Sequence, residues 1–304
     1  MLEQQELPQQ IDEIKKYEAI KVKSRKGRKR MKTIDKEVLA GYNAGIEKGR
    51  LHRGLGLIEF ERTKEILLEK LPPAPAVIYD IGGGYGEYSY WLCSLGYEVY
   101  LYDIAETNIR MANELGEEMH LTLKCAEVAD ARNINRPDAS ADAILLFGPV
   151  YHIVDYDERM LCLKECYRLL KPNGVLFTAH ISCYSTMLKY VAAYDYRPAI
   201  DNEPFYNMLE NTVKNGIHTK KPMGLAYFHK PLEAKKEIEI TGFVDVDLRG
   251  VIGPCWLIRN LDEVWKDETK RENIMKVVRL LEKEECIMGL STHFLSISRK
   301  IDDR

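Results

Sequence analysis

A row of glycines that follows an acid is the most informative local pattern in the chain. The segment VIYDIGGGYGEYSYWL places Asp80 just before Gly82, Gly84 and Gly86, at the end of an apolar run. Glycines at such a place let the backbone turn sharply and approach a ligand closely. The helix that follows offers free N–H groups and the positive end of its dipole. The pattern therefore predicts a ligand site at a strand-to-helix turn.

The glycine spacing separates the possible ligand classes. A dinucleotide fingerprint requires Gly-x-Gly-x-x-Gly or Ala, whereas counting from Gly82 puts Glu87 at the third position. A P-loop requires Gly-Lys-Ser/Thr, and no Lys follows here. The acid before the loop disfavours a pyrophosphate but suits a cationic ligand. The amino and sulfonium groups of S-adenosylmethionine are such groups.

Acids also follow the next two predicted strands. The strand YEVYLYD ends at Asp103, and Asp130-Ala131 follows the strand LTLKCAEV. A near-continuous apolar strand at 141–148 then leads into Pro149-Val150-Tyr151-His152. Ligands of doubly wound sheets bind at the carboxyl ends of the strands, so these residues are candidates for one site.

Strands alternate with helices along most of the chain. Asp35 can cap a first helix that runs to about Lys48, and a second helix ends before Pro72. Near-continuous apolar strands between helices are typical of a parallel sheet that is covered on both faces. The sequence predicts an α/β fold with a doubly wound sheet, N-terminal helices and a helical insertion at 182–230.

Taken together, these four motifs resemble those of the class I S-adenosylmethionine-dependent methyltransferases, over roughly Glu59–Ile181 and the final strands. The resemblance implies a seven-stranded mixed sheet of the Rossmann-like methyltransferase fold. GFVDVDLRG would be its sixth strand and THFLSISRK an antiparallel seventh, inserted between strands five and six. About forty residues separate the two, which indicates a second helical insertion at about 254–288, near the active face. The Gly-Pro-x-Tyr-His loop is similar to that of bacterial members that act on small molecules.

The resemblance also implies which residues hold the cofactor. Asp80 and the glycine loop would hold its methionine part, Asp103 the ribose hydroxyls and Asp130 the adenine amino group. The further cofactor contacts that it implies are Ile104, Ala131, Phe147, Arg62 and Tyr42. The product would be S-adenosyl-L-homocysteine. No metal ion is expected, because no Asp follows strand four where the metal-dependent type has one.

His152 and Tyr151 are the candidate catalytic residues. The imidazole of His152 can take a proton from a hydroxyl or amine, or it can hold the loop through a structural hydrogen bond, and both interpretations stay open. Tyr151 suits a pocket wall better than a catalyst. For His180 and His229 a structural role is favoured over a catalytic one.

Composition restricts the class of protein. The chain has 304 residues, of which 45% are hydrophobic and 30% charged, and its seven Cys have no repeated spacing. No apolar stretch reaches the roughly 18 residues of a membrane span, and no signal peptide is recognisable. The sequence therefore predicts a cytoplasmic protein. Cys162 and Cys166 lie one helical turn apart, but no further Cys or His pair completes a zinc site, so packing is favoured.

Two segments allow more than one interpretation. Residues 21–32 hold eight Lys or Arg in a chain of net charge −3. The favoured interpretation of this segment is a disordered tail, and the alternative is a phosphate-binding arm. A third interpretation is that Met31 is the natural start and that residues 1–30 are an extension. The six tyrosines of 182–230 can line an aromatic substrate pocket or pack the inserted helices, and we expect both.

These observations divide the chain into five parts. They are a basic extension at 1–32, N-terminal helices at 33–75, the cofactor-binding core at 76–181, a helical insertion or substrate lid at 182–230, and C-terminal core strands with the second insertion at 231–304. The predicted function is methyl transfer to an O or N atom of a small organic acceptor. The alternatives are RNA methylation through the basic arm and cofactor binding without catalysis. The oligomeric state stays open, a homodimer included.

Overall fold

The computed structural model describes residues 36–45, 48–192, 202–219 and 223–302. Seven strands form one large sheet, and two further short strands pair separately. The strands are β1 (Val77–Ile81), β2 (Glu98–Asp103), β3 (Cys125–Val128), β4 (Ala141–Leu146), β5 (Leu170–Ile181), β6 (Ile217–His218), β7 (Ala226–Tyr227), β8 (Phe243–Gly250) and β9 (His293–Lys300).

Helices connect these strands and cover both faces of the large sheet. They are α1 (Lys36–Asn43), α2 (Leu55–Lys70), α3 (Glu87–Ser94), α4 (Glu106–Met119), α5 (Pro149–His152), α6 (Tyr156–Leu169), α7 (Ser185–Ala192), α8 (Glu203–Asn215), α9 (Pro231–Ile240), α10 (Leu261–Val264), α11 (Glu268–Leu281) and α12 (Glu285–Met288). Short 3₁₀ turns lie at Arg50–His52 and Gly253–Leu257. None of the described helices is both long enough and apolar enough to cross a bilayer.

The large sheet has the strand order β3-β2-β1-β4-β5-β9-β8. The strands from β3 to β5 are parallel, and β9 runs antiparallel to both of its neighbours, β5 and β8. This arrangement confirms the predicted doubly wound α/β fold. It also confirms that the seventh strand of the sheet lies between the fifth and the sixth.

The central strands are apolar because helices bury both of their faces. On one face, Ile144 and Leu146 of β4 pack with Cys162 and Cys166 of α6, as the packing interpretation of these cysteines predicts. On the other face, Leu145 belongs to a cluster with residues of α2 and α3. Burial of this kind stabilises a fold by about 25 cal/mol per Å² of apolar surface.

The two insertions differ in structure. The first contains α7, α8 and the short pair β6–β7, which the sequence does not predict. The second packs on α2, where Ile58 meets Trp265, Ile274 and Val278. Tyr194, Tyr196 and the basic segment 21–32 lie outside the described residues.

Several element boundaries differ from the expected ones, among them the start of β3, which lies at Cys125 instead of Leu121. The first helix ends at Asn43 instead of Lys48, close to Gly45, whose positive φ of 76° interrupts helical geometry. Its expected cap, Asp35, lies outside the described residues. Strand β5 begins at Leu170, before the Lys-Pro-Asn-Gly segment expected to follow the helix, and its register against β4 shifts there.

Candidate active site

A cavity of about 1240 Å³, including its opening to solvent, lies at the carboxyl edge of the parallel strands. The loops after β1, β2 and β3 line one side, and the ends of β4, β5 and β8 with the start of β9 line the other. Because β9 is antiparallel, its first residue His293 pairs with Ile181, the last residue of β5. With neighbouring strands about 4.8 Å apart, the edge from β3 to β9 spans roughly 24 Å. Residues of α1, the first 3₁₀ turn and α2 also line the cavity.

The glycine loop adopts backbone conformations that other residues rarely take. Gly82, Gly84 and Gly86 have positive φ angles of 77°, 59° and 89°. A side chain on Gly82 would place its Cβ 2.4 Å from Cδ of Pro149, so the loops after β1 and β4 touch here. A Cβ on Gly84 would have no heavy atom within 4 Å. Gly82 and Gly84 line the cavity, whereas Gly86 lies outside its lining.

Asp80 lies beneath this loop, outside the cavity lining. It is fully buried, and its Oδ2 accepts a hydrogen bond of 2.6 Å from Ser89. Its Oδ1 has no hydrogen-bonding partner within the described part of the chain. Burial raises the pKa of Asp80 to about 7, although Ser89 opposes this shift. A cation bound in the loop above would favour the ionised carboxylate.

Asp103, at the end of β2, connects two parts of the site. Its Oδ1 accepts hydrogen bonds from the Ala105 backbone at 2.8 Å and from the Asn108 amide at 3.0 Å. Its Oδ2 accepts the backbone N–H of Gly84 at 3.0 Å. Asp103 and its neighbour Ile104 both line the cavity. The carboxylate is therefore fixed beside the glycine loop.

Asp130 and Ala131 line the cavity after β3. Arg132 binds both carboxylate oxygens of Asp130, through Nε at 2.9 Å and Nη2 at 2.5 Å. Burial opposes ionisation of Asp130, but these hydrogen bonds hold its pKa below the usual range. Arg132 is fixed in turn by Glu158 of α6 at 2.7 Å. Asp130 is thus an ionised and rigid acceptor.

The residues after β4 form the middle of the cavity. Phe147, Tyr151 and His152 line it, and Nε2 of His152 lies 2.5 Å from the hydroxyl of Tyr42 of α1. Burial lowers the pKa of His152 to about 4, so the ring is neutral near pH 7. Its Nδ1 has no hydrogen-bonding partner among the residues that the structure describes. The structure thus brings together Tyr42 and His152, which the sequence treats separately.

Arg62 is placed differently from the expectation. It is buried outside the cavity lining, and its Nε donates to Glu282 at 2.6 Å, while Nη1 pairs with Glu65. Glu282 also binds Arg249 at 2.6 Å. In this structure Arg62 attaches the second insertion to α2, so the geometry gives no support to its predicted cofactor contact.

Three ionisable residues in the cavity wall were not predicted from the sequence. Arg50 binds the carboxylate of Glu59 through two hydrogen bonds of 2.8 and 3.0 Å, and Nδ1 of His293 lies 3.0 Å from the same carboxylate. The helical position of Glu59 and the strand end at His293 were visible in the sequence. No local signal, however, showed that the two would meet.

His180 and His229 belong to a buried network away from the cavity lining. Their rings are 4.9 Å apart, His180 bonds Ser296 at 3.0 Å, and Glu237 joins His229 to Arg159. These contacts support the structural role that the sequence favours. Among the described residues, neither insertion lines the cavity, and no group of three or more His, Cys, Asp or Glu is arranged as metal ligands.

The residues present fit S-adenosylmethionine. Gly84 leaves open space beside Asp103, the carboxylates of Asp103 and Asp130 line the cavity, and Oδ1 of the buried Asp80 has no hydrogen-bonding partner among the described residues. Acidic side chains beside open backbone suit a ligand that carries cationic, hydroxyl and amino groups, as that cofactor does.

Comparison with known proteins finds a methyltransferase domain within the chain. Residues 79–178 match the family model described as "Methyltransferase domain". A stretch of 105 residues is 29% identical to the ubiquinone biosynthesis O-methyltransferase of Caulobacter vibrioides, and covers 34% of this chain. The chain spans 40% of the length of that curated relative.

Solved structures share the fold. A SAM-dependent methyltransferase from Methanosarcina mazei matches with a TM-score of 0.53 and 19% identity, over 78% of this chain and 97% of that one. A phosphoethanolamine N-methyltransferase 2 of Haemonchus contortus, solved in complex with S-adenosyl-L-methionine, matches with a TM-score of 0.52 and 14% identity, over 80% and 52%. Residues 79–178 therefore form a methyltransferase domain, and this domain together with the shared fold supports S-adenosylmethionine as the cofactor.

Proposed function

We propose that this protein transfers a methyl group from S-adenosylmethionine to an O or N atom of a small organic acceptor. The observation that carries the proposal is the continuity of the cavity. The same space is lined by Gly84 and Asp103 at one end and by Ala179, Val251 and His293 at the other. It is therefore long enough for two ligands placed end to end.

The cover of the cavity favours a small acceptor. Val38 and Leu51 line it and are buried, with 6% and 5% of their surfaces exposed. Both come from elements that precede the sheet in the chain and lie over its edge. Ligand sites of this kind, concave and largely apolar with a few polar groups, are typical of small molecules.

The residues of the chain would contribute binding and orientation. When bound, the cofactor supplies a methyl group that is already activated. Asp103 and Asp130 would orient it through hydrogen bonds to fixed carboxylates, and the loop after β4 would lie beside the methyl group, where cofactor and acceptor meet. Val38 and Leu51 would exclude water. Holding two reactants in line in this way makes the reaction effectively unimolecular and lowers its entropic barrier.

Labelling tests the acceptor class directly. The purified protein is incubated with S-adenosylmethionine labelled in the methyl group and with a cell extract divided by ultrafiltration into small molecules and macromolecules. We expect label in the small-molecule fraction only. Calorimetric titration with S-adenosylmethionine and with NAD, run in parallel, should show binding of the first alone.

The matched control is Gly82→Ala, in which the new Cβ would lie 2.4 Å from Pro149 and close the loop. This variant should transfer no label. Label confined to RNA or protein would contradict the small-acceptor proposal. Tight cofactor binding without transfer to either fraction would favour a non-catalytic role instead.

A further inference from the structure

The acceptor side of the cavity holds a pair of side chains that the proposed reaction has not yet used. Glu59 of α2 and His293 of β9 meet there, with 3.0 Å between Oε2 and Nδ1. Arg50 binds both oxygens of the same carboxylate. All three line the cavity, and 24% of the His293 side chain is exposed.

The carboxylate decides which nitrogen of His293 carries the proton. Burial opposes ionisation of Glu59, but the charge of Arg50 and the hydrogen bonds from His293 and Arg50 hold its pKa well below the usual range. A neutral imidazole beside an ionised carboxylate keeps its proton on the nearer nitrogen and donates it. Nδ1 is that nitrogen here. Nε2 is therefore left with the lone pair of a base.

His152 is less suited to take a proton, although it lines the same cavity. Its Nε2 is held 2.5 Å from the Tyr42 hydroxyl, and burial lowers its pKa to about 4. A general base is most effective when its pKa is near the working pH. Burial of His152 therefore favours a positioning role, in which it fixes α1 over the cavity.

The surroundings of His293 indicate the kind of acceptor. The Tyr88 ring lies 5.3 Å from that of Phe147, and both line the cavity with Val251 and Leu295. Val251 donates its backbone N–H to the carbonyl of His293 at 3.2 Å. Aromatic and aliphatic walls of this type pack well against a flat ring.

The charged and titratable groups around the pair come from three elements. Arg50 of the 3₁₀ turn binds Glu59 through a hydrogen bond. Tyr88 of α3 and Lys189 of α7 both interact electrostatically with the Glu59 carboxylate. Burial and the Glu59 charge raise the pKa of Tyr88 well above its usual value, so it is neutral.

We propose that His293 is the general base of the reaction, positioned by Glu59, and that the acceptor is a phenolic hydroxyl. This inference rests on the proposed methyl transfer. The acceptor O–H bond breaks, and its proton passes to Nε2 of His293. The electron pair left on oxygen forms the new bond to the methyl carbon, while the pair of the broken carbon–sulfur bond stays with sulfur. The proton then leaves the imidazole for solvent.

A series of phenols of graded acidity tests the base. Phenol, 4-chlorophenol and 4-nitrophenol serve as acceptors at pH 8, and release of S-adenosylhomocysteine is measured. We expect His293→Gln to lower kcat/KM for phenol by about 10²- to 10⁴-fold, the usual contribution of a general base. The loss should be under about 10-fold for 4-nitrophenol, which is already largely ionised at this pH. His120→Asn, at the exposed position directly after α4, is the matched histidine control and should change neither value.

The hydrogen bond between Glu59 and His293 can also be tested without any reaction. The ¹⁵N shifts of the His293 ring in the cofactor-free protein should report a proton on Nδ1 and a lone pair on Nε2. In Glu59→Gln, whose amide can either donate or accept, this preference should weaken, and kcat with phenol should fall while KM changes little.

The outcomes separate this inference from the proposed function. An equal loss for all three phenols, or a proton on Nε2 in the wild-type protein, would overturn the role of His293. Transfer to other small molecules but to no phenol would overturn the acceptor class and leave methyl transfer in place. Absence of cofactor binding would remove the proposed function itself.

Discussion

Replacing Asp103 with Asn perturbs the residue that connects the glycine loop to the second strand. In the structure its carboxylate accepts three hydrogen bonds, from Ala105 at 2.8 Å, and from Asn108 and Gly84 at 3.0 Å each. The side-chain oxygen of the introduced asparagine can still accept the hydrogen bonds from Ala105 and Asn108. Its NH₂ group would then face the backbone N–H of Gly84, and two donors cannot form a hydrogen bond.

The size of the effect follows from that geometry. Losing one hydrogen bond to a charged group costs about 1.5–3 kcal/mol, so the free energy of unfolding should fall by roughly this amount. The cofactor would lose a charged acceptor for its ribose hydroxyls as well. A further loss of the same size corresponds to a rise in Kd of about 10- to 150-fold.

Calorimetric titration with S-adenosylhomocysteine gives Kd, and urea unfolding gives the stability change. Asp142→Asn is the matched control, because Asp142 accepts the Val77 backbone N–H at 2.9 Å and pairs with Lys171 at 2.9 Å, but lies outside the cavity lining. It should lose stability while its Kd stays within about twofold of the wild-type value. A folded Asp103→Asn protein with wild-type affinity would refute the assignment of Asp103 to the cofactor.

Three other predictions follow from the same site. Gly82→Ala should abolish binding of S-adenosylhomocysteine in titration and should lower Tm more than Gly84→Ala does. The reason is that only the new Cβ at position 82 would meet Pro149, at 2.4 Å. Equal effects of the two substitutions would contradict the contact between the loops after β1 and β4. Because burial raises the pKa of Asp80 to about 7, its contribution to stability is complete below pH 4 and is lost as the pH rises through 7. Urea unfolding should therefore show the wild type losing roughly 1.4 kcal/mol per pH unit relative to Asp80→Asn across this range, and parallel curves would refute the shift. Arg62→Met should cost about 1.5–3 kcal/mol in urea unfolding, since it breaks the bond to Glu282, and leave Kd within about twofold; a large rise in Kd would restore its predicted cofactor role.

The parts of the site that lie on continuous stretches of chain were predictable. An apolar strand followed by glycines predicts a tight turn directly after that strand. Acidic residues that follow parallel strands all lie at the carboxyl edge of the sheet. Asp103 and Asp130 could therefore be assigned to the cavity wall from the order of elements alone. The position of β9 in the sheet could be predicted only from the family resemblance, because local sequence patterns do not give strand order.

Contacts between distant segments could not be predicted. Tyr42 and His152 are 110 residues apart, and Arg62 and Glu282 are 220 apart. A single sequence shows that an arginine lies on a helix, but not which carboxylate it will find. For the same reason the contact between Glu59 and His293 could not be predicted. It forms only because α2 packs near the start of β9 in the folded protein.

The position of β9 has a consequence for how the protein folds. β9 lies between β5 and β8, so both of these earlier strands have an open edge until it inserts. Pairings between segments so far apart in the chain form slowly, because a long loop must close before they gain any stability. His293–Leu295 also line the cavity, so the ligand site is completed only by this late event. A bound cofactor would therefore stabilise the inserted strand and keep two aggregation-prone edges covered.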